Sequence, residues 1–275
     1  HLQAVVASGM ITSAAGLHEL PHRAAPAGRA ELAAGMVSVE VPEVGSRPIW
    51  FVPGVRNPTV PTGLADVEAF DLMRGEETEA IALSQRLALR QPARLVLPGS
   101  HCKIVQLDAD QRITGSVTTM SGELLETLQT QTLIASSLGS AFADTLDRAA
   151  LEAGADAANH VGLARAAFGV RLLDLRSLAD RNARACYLMG AVLAGDVQAL
   201  HESAALEAAS SADTAASALW VAGRPLVRDA LMHLLCRPRA GKPQTAVHAI
   251  GDTDQADLAG WGACLLARER GLLSF

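Results

Sequence analysis

Two short polar runs hold the residue types that could do chemistry. Arg74-Gly75-Glu76-Glu77 comes first, and Pro98-Gly99-Ser100-His101-Cys102-Lys103 follows it. A carboxylate beside a glycine, where a ligand can approach the backbone closely, can act as a general base. Arg74 could orient that carboxylate or grip a substrate carboxylate in bidentate fashion. The second run offers backbone N–H groups, a hydroxyl and a mobile lysine at one point, which suits phosphate oxygens. Together they meet what phosphoryl transfer asks of a protein: alignment, charge neutralisation and a group to accept a hydroxyl proton. Each run also has an ordinary explanation. Acidic residues in a first helical turn complement the helix dipole, and glycine-containing hairpin turns with a surface lysine are common. His101 fits a catalytic role or a structural hydrogen bond in a tight turn.

The flanking segments are apolar and regular, so they can serve as a scaffold. Ile81, Ala82, Leu87 and Leu89 mark an amphipathic helix that runs from the glutamates to Gln91-Pro92. Arg94 to Leu97, Ile104 to Leu107 and Ile113 to Thr119 read as strands, and Ser121-Gly122-Glu123 as a helix start. Upstream, Gln3 to Gly9 and Ile49 to Gly54 read as buried strands, with Ile11 to Ala27 and Asn57 to Gly63 as loops. Downstream, Gly139 to Ala153, Ala158 to Phe168, Ser177 to Ala194 and Ala199 to Ala216 have Ala/Leu periodicity near 3.6, with Gly154, Gly169 and Gly195 as expected stops. Asp196 and Arg171 read as isolated helix-end or surface groups. Ala218 to Gly223 reads as a strand turning into a helix at Pro225, a geometry that leaves N–H groups free for a nucleotide, and Val247 to Gly251 repeats it before Asp252. Gly260-Trp261-Gly262-Ala263, near the start of the last helix, permits close approach by a backbone or a planar ring.

Composition narrows the class. In 275 residues, 49% are hydrophobic and only 3% aromatic, so a sizeable core built on Ala and Leu is expected and disorder is not. A net charge of −6 leaves no electrostatic footprint for nucleic acid or anionic lipid, so an anionic ligand needs a local cluster. The four cysteines form no CxxC pair and suggest neither a zinc site nor a disulfide framework. No segment has the length and apolarity of a membrane span and no signal-peptide pattern opens the chain, so a cytoplasmic protein is expected.

MRGEET at Met73 to Thr78, LPGSHCK at Leu97 to Lys103 and MSGEL at Met120 to Leu124 together resemble the 2-dehydro-3-deoxygalactonokinases. These are sugar-acid kinases of the actin, hexokinase and Hsp70 fold superfamily. Weaker matches are SGM at Ser8 to Met10, the helix near Leu188 to Asp196, VAGRPL at Val221 to Leu226 and GDT at Gly251 to Thr253. The resemblance implies an α/β, two-domain, actin-like (ribonuclease H-like) fold, with residues 1–92 on the sugar side and 93–275 on the nucleotide side. It implies ATP and Mg2+ as cofactors and a sugar acid phosphorylated at its C6 hydroxyl. Glu76 would then be the base, with Glu77 as fallback and Arg74 as helper. Gly99, Ser100, His101 and Lys103 would face the ATP phosphates, with Gly223, Arg224, Gly251 and Asp252 nearer the nucleoside. The sugar acid would meet Ser8, Gly9, Met10, Ser121, Gly122 and Glu123.

The sequence departs from the superfamily at its start, where an acidic strand-turn-strand phosphate motif is expected and nothing before Gln3 supplies it. Either residues are missing upstream of His1 or the chain is a shortened homologue. A kinase for another 2-keto-3-deoxy sugar acid and a non-catalytic homologue that binds sugar acid or nucleotide are the alternatives, and a homodimer is compatible with each.

Overall fold

A computed structural model describes residues 2–207, 218–239 and 245–273, and the chain is mixed α/β. Its first part is made of short pieces: β1 (Val5–Ala7), β2 (Arg23–Ala24), α1 (Arg29–Ala34), β3 (Val37–Val39), β4 (Ile49–Phe51), β5 (Val55–Arg56) and β6 (Leu72–Met73). β1 and β4 pair in parallel, as their apolar runs lead one to expect, and β3 adds antiparallel to β4. β2, β5 and β6 form a second small sheet within stretches whose sequence reads as loop. Two-residue strands are too short to show alternation, so only their tertiary pairing reveals them.

α2 (Glu76–Arg86) then leads into β7 (Ala93–Leu97), β8 (Cys102–Leu107) and β9 (Ile113–Thr119), an antiparallel meander. A helical stretch follows: α3 (Ser121–Gln131), α4 (Ala135–Leu138), α5 (Arg148–Val161), α6 (Leu163–Leu175), α7 (Arg181–Glu202) and α8 (Ala204–Glu207). The chain returns through β10 (Ala218–Val221), α9 (Pro225–Leu235), β11 (Val247–Ala249), α10 (Asp252–Gln255) and α11 (Leu258–Glu269). β10 lies parallel to β7 and β11 parallel to β10, which gives a five-stranded sheet in the order β11-β10-β7-β8-β9.

Strand alternation sends this sheet's side chains into two cores. Val96, Cys102, Ile104, Leu219 and Val221 enter one with α3, α5, α7 and α9. Leu95, Leu97, Val105 and Leu107 enter the other with α1, α2 and α11. Cover on both faces explains why the central strands β7 and β10 read as nearly continuous apolar runs.

The glycines expected to stop helices do something else. Gly154, Gly169 and Gly195 lie inside α5, α6 and α7, and the break between α5 and α6 falls at Gly162 instead, at φ +80°. α5 and α7 cross so closely that a Cβ on Gly154 would lie 1.9 Å from the Tyr187 carbonyl oxygen. One on Gly190 would lie 1.9 Å from that of Leu151. Periodicity cannot separate a glycine that ends a helix from one that lets two helices touch. The part of the expected helix Ala199 to Ala216 at 208–216 lies outside the described residues.

Two substitutions in α7 check this packing by urea denaturation. Gly190→Ala should lose about 1–3 kcal/mol through overpacking. Gly195→Ala, with nothing within 4 Å of the added methyl, should instead gain about 0.5–1 kcal/mol from helix propensity.

Candidate active site

β1 and β6 end close together. Gly75 sits at φ +116°, a backbone conformation that strains any L side chain, and a Cβ there would lie 3.4 Å from the Cα of Gly9. Two runs distant in sequence, Ser8-Gly9-Met10 and Arg74-Gly75-Glu76, therefore meet backbone to backbone. Ser8 and Gly9 are half-buried, while Met10 is exposed.

Both glutamates at the start of α2 fold back onto the chain that precedes it. Glu76 Oε2 accepts from the Arg74 backbone N–H at 3.2 Å, and Glu77 Oε2 accepts from the Gly75 N–H at 2.7 Å. Their surroundings differ. Glu76 keeps some exposure, whereas Glu77 has none and its Oε1 has no partner. Burial pushes the Glu77 carboxyl from its ordinary 4.5 up to about 8, with the neighbouring Glu76 adding to the rise. Glu77 is thus neutral in mildly acid to neutral water, and Glu76 is the acidic side chain that a ligand can reach.

Arg74 does not orient Glu76 with its guanidinium. Nη1 donates to the Thr12 carbonyl at 2.5 Å and to Thr12 Oγ1 at 2.7 Å, and Nη2 donates to the Leu20 carbonyl at 2.8 Å. His22 Nδ1 lies 3.2 Å from Nη2. The side chain ties down the loop after β1, and only the Arg74 backbone touches Glu76. Lys103 also departs from expectation. It lies inside β8, only 3% exposed, and its Nζ donates to the Leu72 carbonyl at 2.8 Å and to Thr118 Oγ1, with Asp71 Oδ2 at 3.4 Å. An alternating strand sends its even and odd residues to opposite faces, and Lys103 points beneath the turn instead of out of it.

The turn itself is exposed at Gly99, Ser100 and His101. It is locked onto the start of α3: the Ser100 carbonyl accepts from the Glu123 N–H at 2.8 Å, and His101 Nε2 lies 3.3 Å from Glu123 Oε1. A Cβ on Gly122 would sit 2.0 Å from the Gly99 carbonyl oxygen. Residues assigned from sequence to nucleotide and to sugar acid thus form one joint. Beneath it Asp196, expected at a surface or helix end, is 2% exposed in the middle of α7. Its Oδ1 accepts from Thr119 Oγ1, its Oδ2 has no partner, and burial raises its carboxyl above the usual range.

The ends of the parallel strands converge on the same side. A Cβ on Gly223 would press on Pro98 at 2.5 Å, and its N–H donates to Gln255 Oε1 at 2.5 Å. Arg224, Gly251 and Asp252 are exposed next to it, and Asp252 pairs with Arg228 at 2.7 Å. Gly262 faces the Thr78 carbonyl at 2.1 Å from where its Cβ would be, so this glycine of α11 serves a backbone approach onto the first turn of α2, while Gly260 has nothing within 4 Å. A polar cavity of about 540 Å³ lined by Arg29, Ser84, Gln85 and Arg112 contains none of these residues.

A family model described as 2-keto-3-deoxy-galactonokinase matches residues 1–224. The chain belongs to that family. It is 33% identical over 134 residues to the 2-dehydro-3-deoxygalactonokinase of Escherichia coli (strain K12), a match covering 49% of this chain and 40% of that protein. A relative in Rhizobium meliloti (strain 1021), given the same name provisionally, is 31% identical over 137 residues, covering 50% of this chain and 41% of that one. The aligned stretches thus span well under half of these curated relatives. A crystal structure from Sinorhizobium meliloti, provisionally assigned as a 2-dehydro-3-deoxygalactonokinase, shares the fold. Its TM-score is 0.69 at 23% identity, covering 96% of this chain and 79% of that one.

In this galactonokinase-family chain Glu77 should leave a pH signature. Below about pH 4.5 folded and unfolded chains both hold its proton. Between there and about pH 8 only the folded chain does, so its contribution to stability falls as pH rises through that window. Glu77→Gln removes the titration. Relative to wild type, the variant should gain more than about 1 kcal/mol between pH 5 and pH 8, because one pH unit of unequal protonation is worth about 1.4 kcal/mol. Urea unfolding of both proteins at the two pH values measures it, and parallel curves would remove the assignment.

Proposed function

We propose that this chain carries sugar-acid and nucleotide surfaces of an ATP-dependent kinase for the C6 hydroxyl of 2-dehydro-3-deoxygalactonate. The observation that carries the reading is the placement of Glu76. It stands at the start of α2, where Gly75 touches Gly9, on a segment bonded through Lys103 to the strand that follows the exposed 98–101 turn. The substrate comes from the family; the geometry supplies a reachable acid beside a backbone-lined turn.

The proposed fold is the two-domain, actin-like arrangement, with residues 1–92 on the sugar side and 93–275 on the nucleotide side. An antiparallel meander continued by two parallel strands supports a ribonuclease H-like second half. Glu76 accepts the proton of the attacking hydroxyl. N–H groups of Gly99, Ser100 and His101, with the Ser100 hydroxyl, face the phosphates, while Gly223, Arg224, Gly251 and Asp252 border the nucleoside. Ser8 and Gly9, together with Ser121, Gly122 and Glu123, border the sugar acid.

Among the described residues no three His, Cys, Asp or Glu side chains form a metal cage. A Mg2+ carried by the ATP phosphates would neutralise developing charge. No described helix is long and apolar enough to cross a membrane, and the proposed use of ATP is what supports a cytoplasmic reaction.

A coupled ADP-release assay on the full-length gene product, with a panel of 2-keto-3-deoxy acids, tests the reading. Glu76→Gln should lower kcat by about 10² to 10⁴, the usual contribution of a general base. Turnover within about tenfold of wild type would end the base assignment. No ADP release with any sugar acid would leave a binding homologue.

A further inference from the structure

We propose that the buried Lys103–Asp71 pair is a positioning device, which fixes the distance between Glu76 and the phosphate-facing turn at 98–101. The idea rests on the kinase reading above. Lys103 stands opposite Leu97 in the β7–β8 register, so it is the first paired residue below the turn on one side as Leu97 is on the other. Its ammonium donates to the carbonyl of Leu72, in the strand that runs directly into Arg74-Gly75-Glu76. One side chain therefore touches both arms of the candidate site.

The partner carboxylate is equally well held. Asp71 Oδ2 accepts from Ser116 Oγ at 2.6 Å, and Oδ1 accepts from Thr118 Oγ1 at 2.8 Å. The Asp71 carbonyl accepts from the Asn57 N–H at 2.8 Å. The two charged side chains keep only 4% and 14% of their surface, so solvent screens them little.

A buried pair of this kind is a poor source of net stability, because desolvation offsets most of the attraction and apolar replacements often do as well. Its distinctive property is direction. The ammonium has three donors, and the carbonyl, hydroxyl and carboxylate around it fit only one relative placement of β6, β8 and β9. A base and a phosphate site on separate segments need such a fix, since a displacement of about 1 Å can cost about 10²-fold in rate.

The test uses Lys103→Met combined with Asp71→Asn in the full-length gene product. Methionine keeps the stem volume, asparagine keeps an acceptor for Ser116 and Thr118, and no orphan charge is left buried. The double variant should melt within about 5 °C of wild type, a shift that corresponds to small stability changes. Its kcat should fall about 10²-fold, with KM for ATP and for the sugar acid within about threefold. Unchanged kcat would overturn the proposal, and so would a large rise in KM for ATP alone, which marks direct phosphate contact.

Amide hydrogen exchange gives a second readout that does not need turnover. The double variant should exchange faster at both Gly75–Glu76 and Gly99–Ser100. If wild type releases no ADP, the kinase reading fails while exchange still decides the coupling. Faster exchange at one site alone, or at neither, overturns it.

Discussion

The free edge of β9 is the constraint on which the arrangement of the site depends. An edge strand presents a row of backbone donors and acceptors, and within a protein these must be paired. Among the described residues no further strand completes this edge. At Ile113 the backbone of Ala27 supplies both bonds, each 2.9 Å. At Ser116 the carboxamide of Asn57 takes the role of a strand, accepting from the N–H at 2.8 Å and donating to the carbonyl at 3.1 Å. Asn57 is 2% exposed and Ser116 fully buried, so leaving either unpaired would cost about 1–3 kcal/mol. Closing the edge pulls β5 and β6 against the sheet. It thereby decides where α2 starts and where Glu76 stands.

Close backbone approach does the work that aromatic rings do in many cores. With 3% aromatic residues, the chain brings α5 to α7 through Gly154 and Gly190, α11 to α2 through Gly262, and α3 to the 98–101 turn through Gly122. Contacts of this kind are unforgiving, because a single added methyl meets a carbonyl oxygen and the tightly packed interior has no space to give. The last contact bears on the proposed site. A turn whose carbonyls rest on the first turn of a helix is held in place, which on the proposed reading would preorganise its N–H groups.

Apolar runs mark β1, β4, β7 and β10, and burial on both faces of the sheet accounts for those of β7 and β10. The Gly-Glu-Glu junction and the 98–101 turn were visible because polar residues interrupt those runs. Three things were not legible. The strands of the β2-β5-β6 sheet are too short for a period. Gly154 and Gly169 look like helix stops until it is known that both face Tyr187 of α7. Lys103 and Asp196 carry the residue types of surface groups, and nothing local in the chain marks them as buried. An asparagine in a turn-forming run, Asn57, likewise gives no hint that it will complete a sheet.

The burial of Lys103 and the loop contacts of Arg74 change how an anion would be held. A chain of net charge −6 needs a local source of positive potential for a phosphate, and two cations expected at the site, Lys103 and Arg74, spend theirs on Asp71, Leu72, Thr12 and Leu20. What the 98–101 turn itself exposes is mostly backbone, and Arg224 beside Gly223 is an exposed cation. The N–H groups of the 98–101 turn stand over α3, and Pro225 opens α9 behind Gly223, where a proline gives up only an N–H that the helix would not have used. Helix N-termini and fixed amides act as partial charges that need no rearrangement when a ligand arrives. On the proposed reading the phosphates are met by preorganised dipoles and by the metal they carry. The buried lysine then contributes geometry in place of charge, and the same ammonium could not have done both.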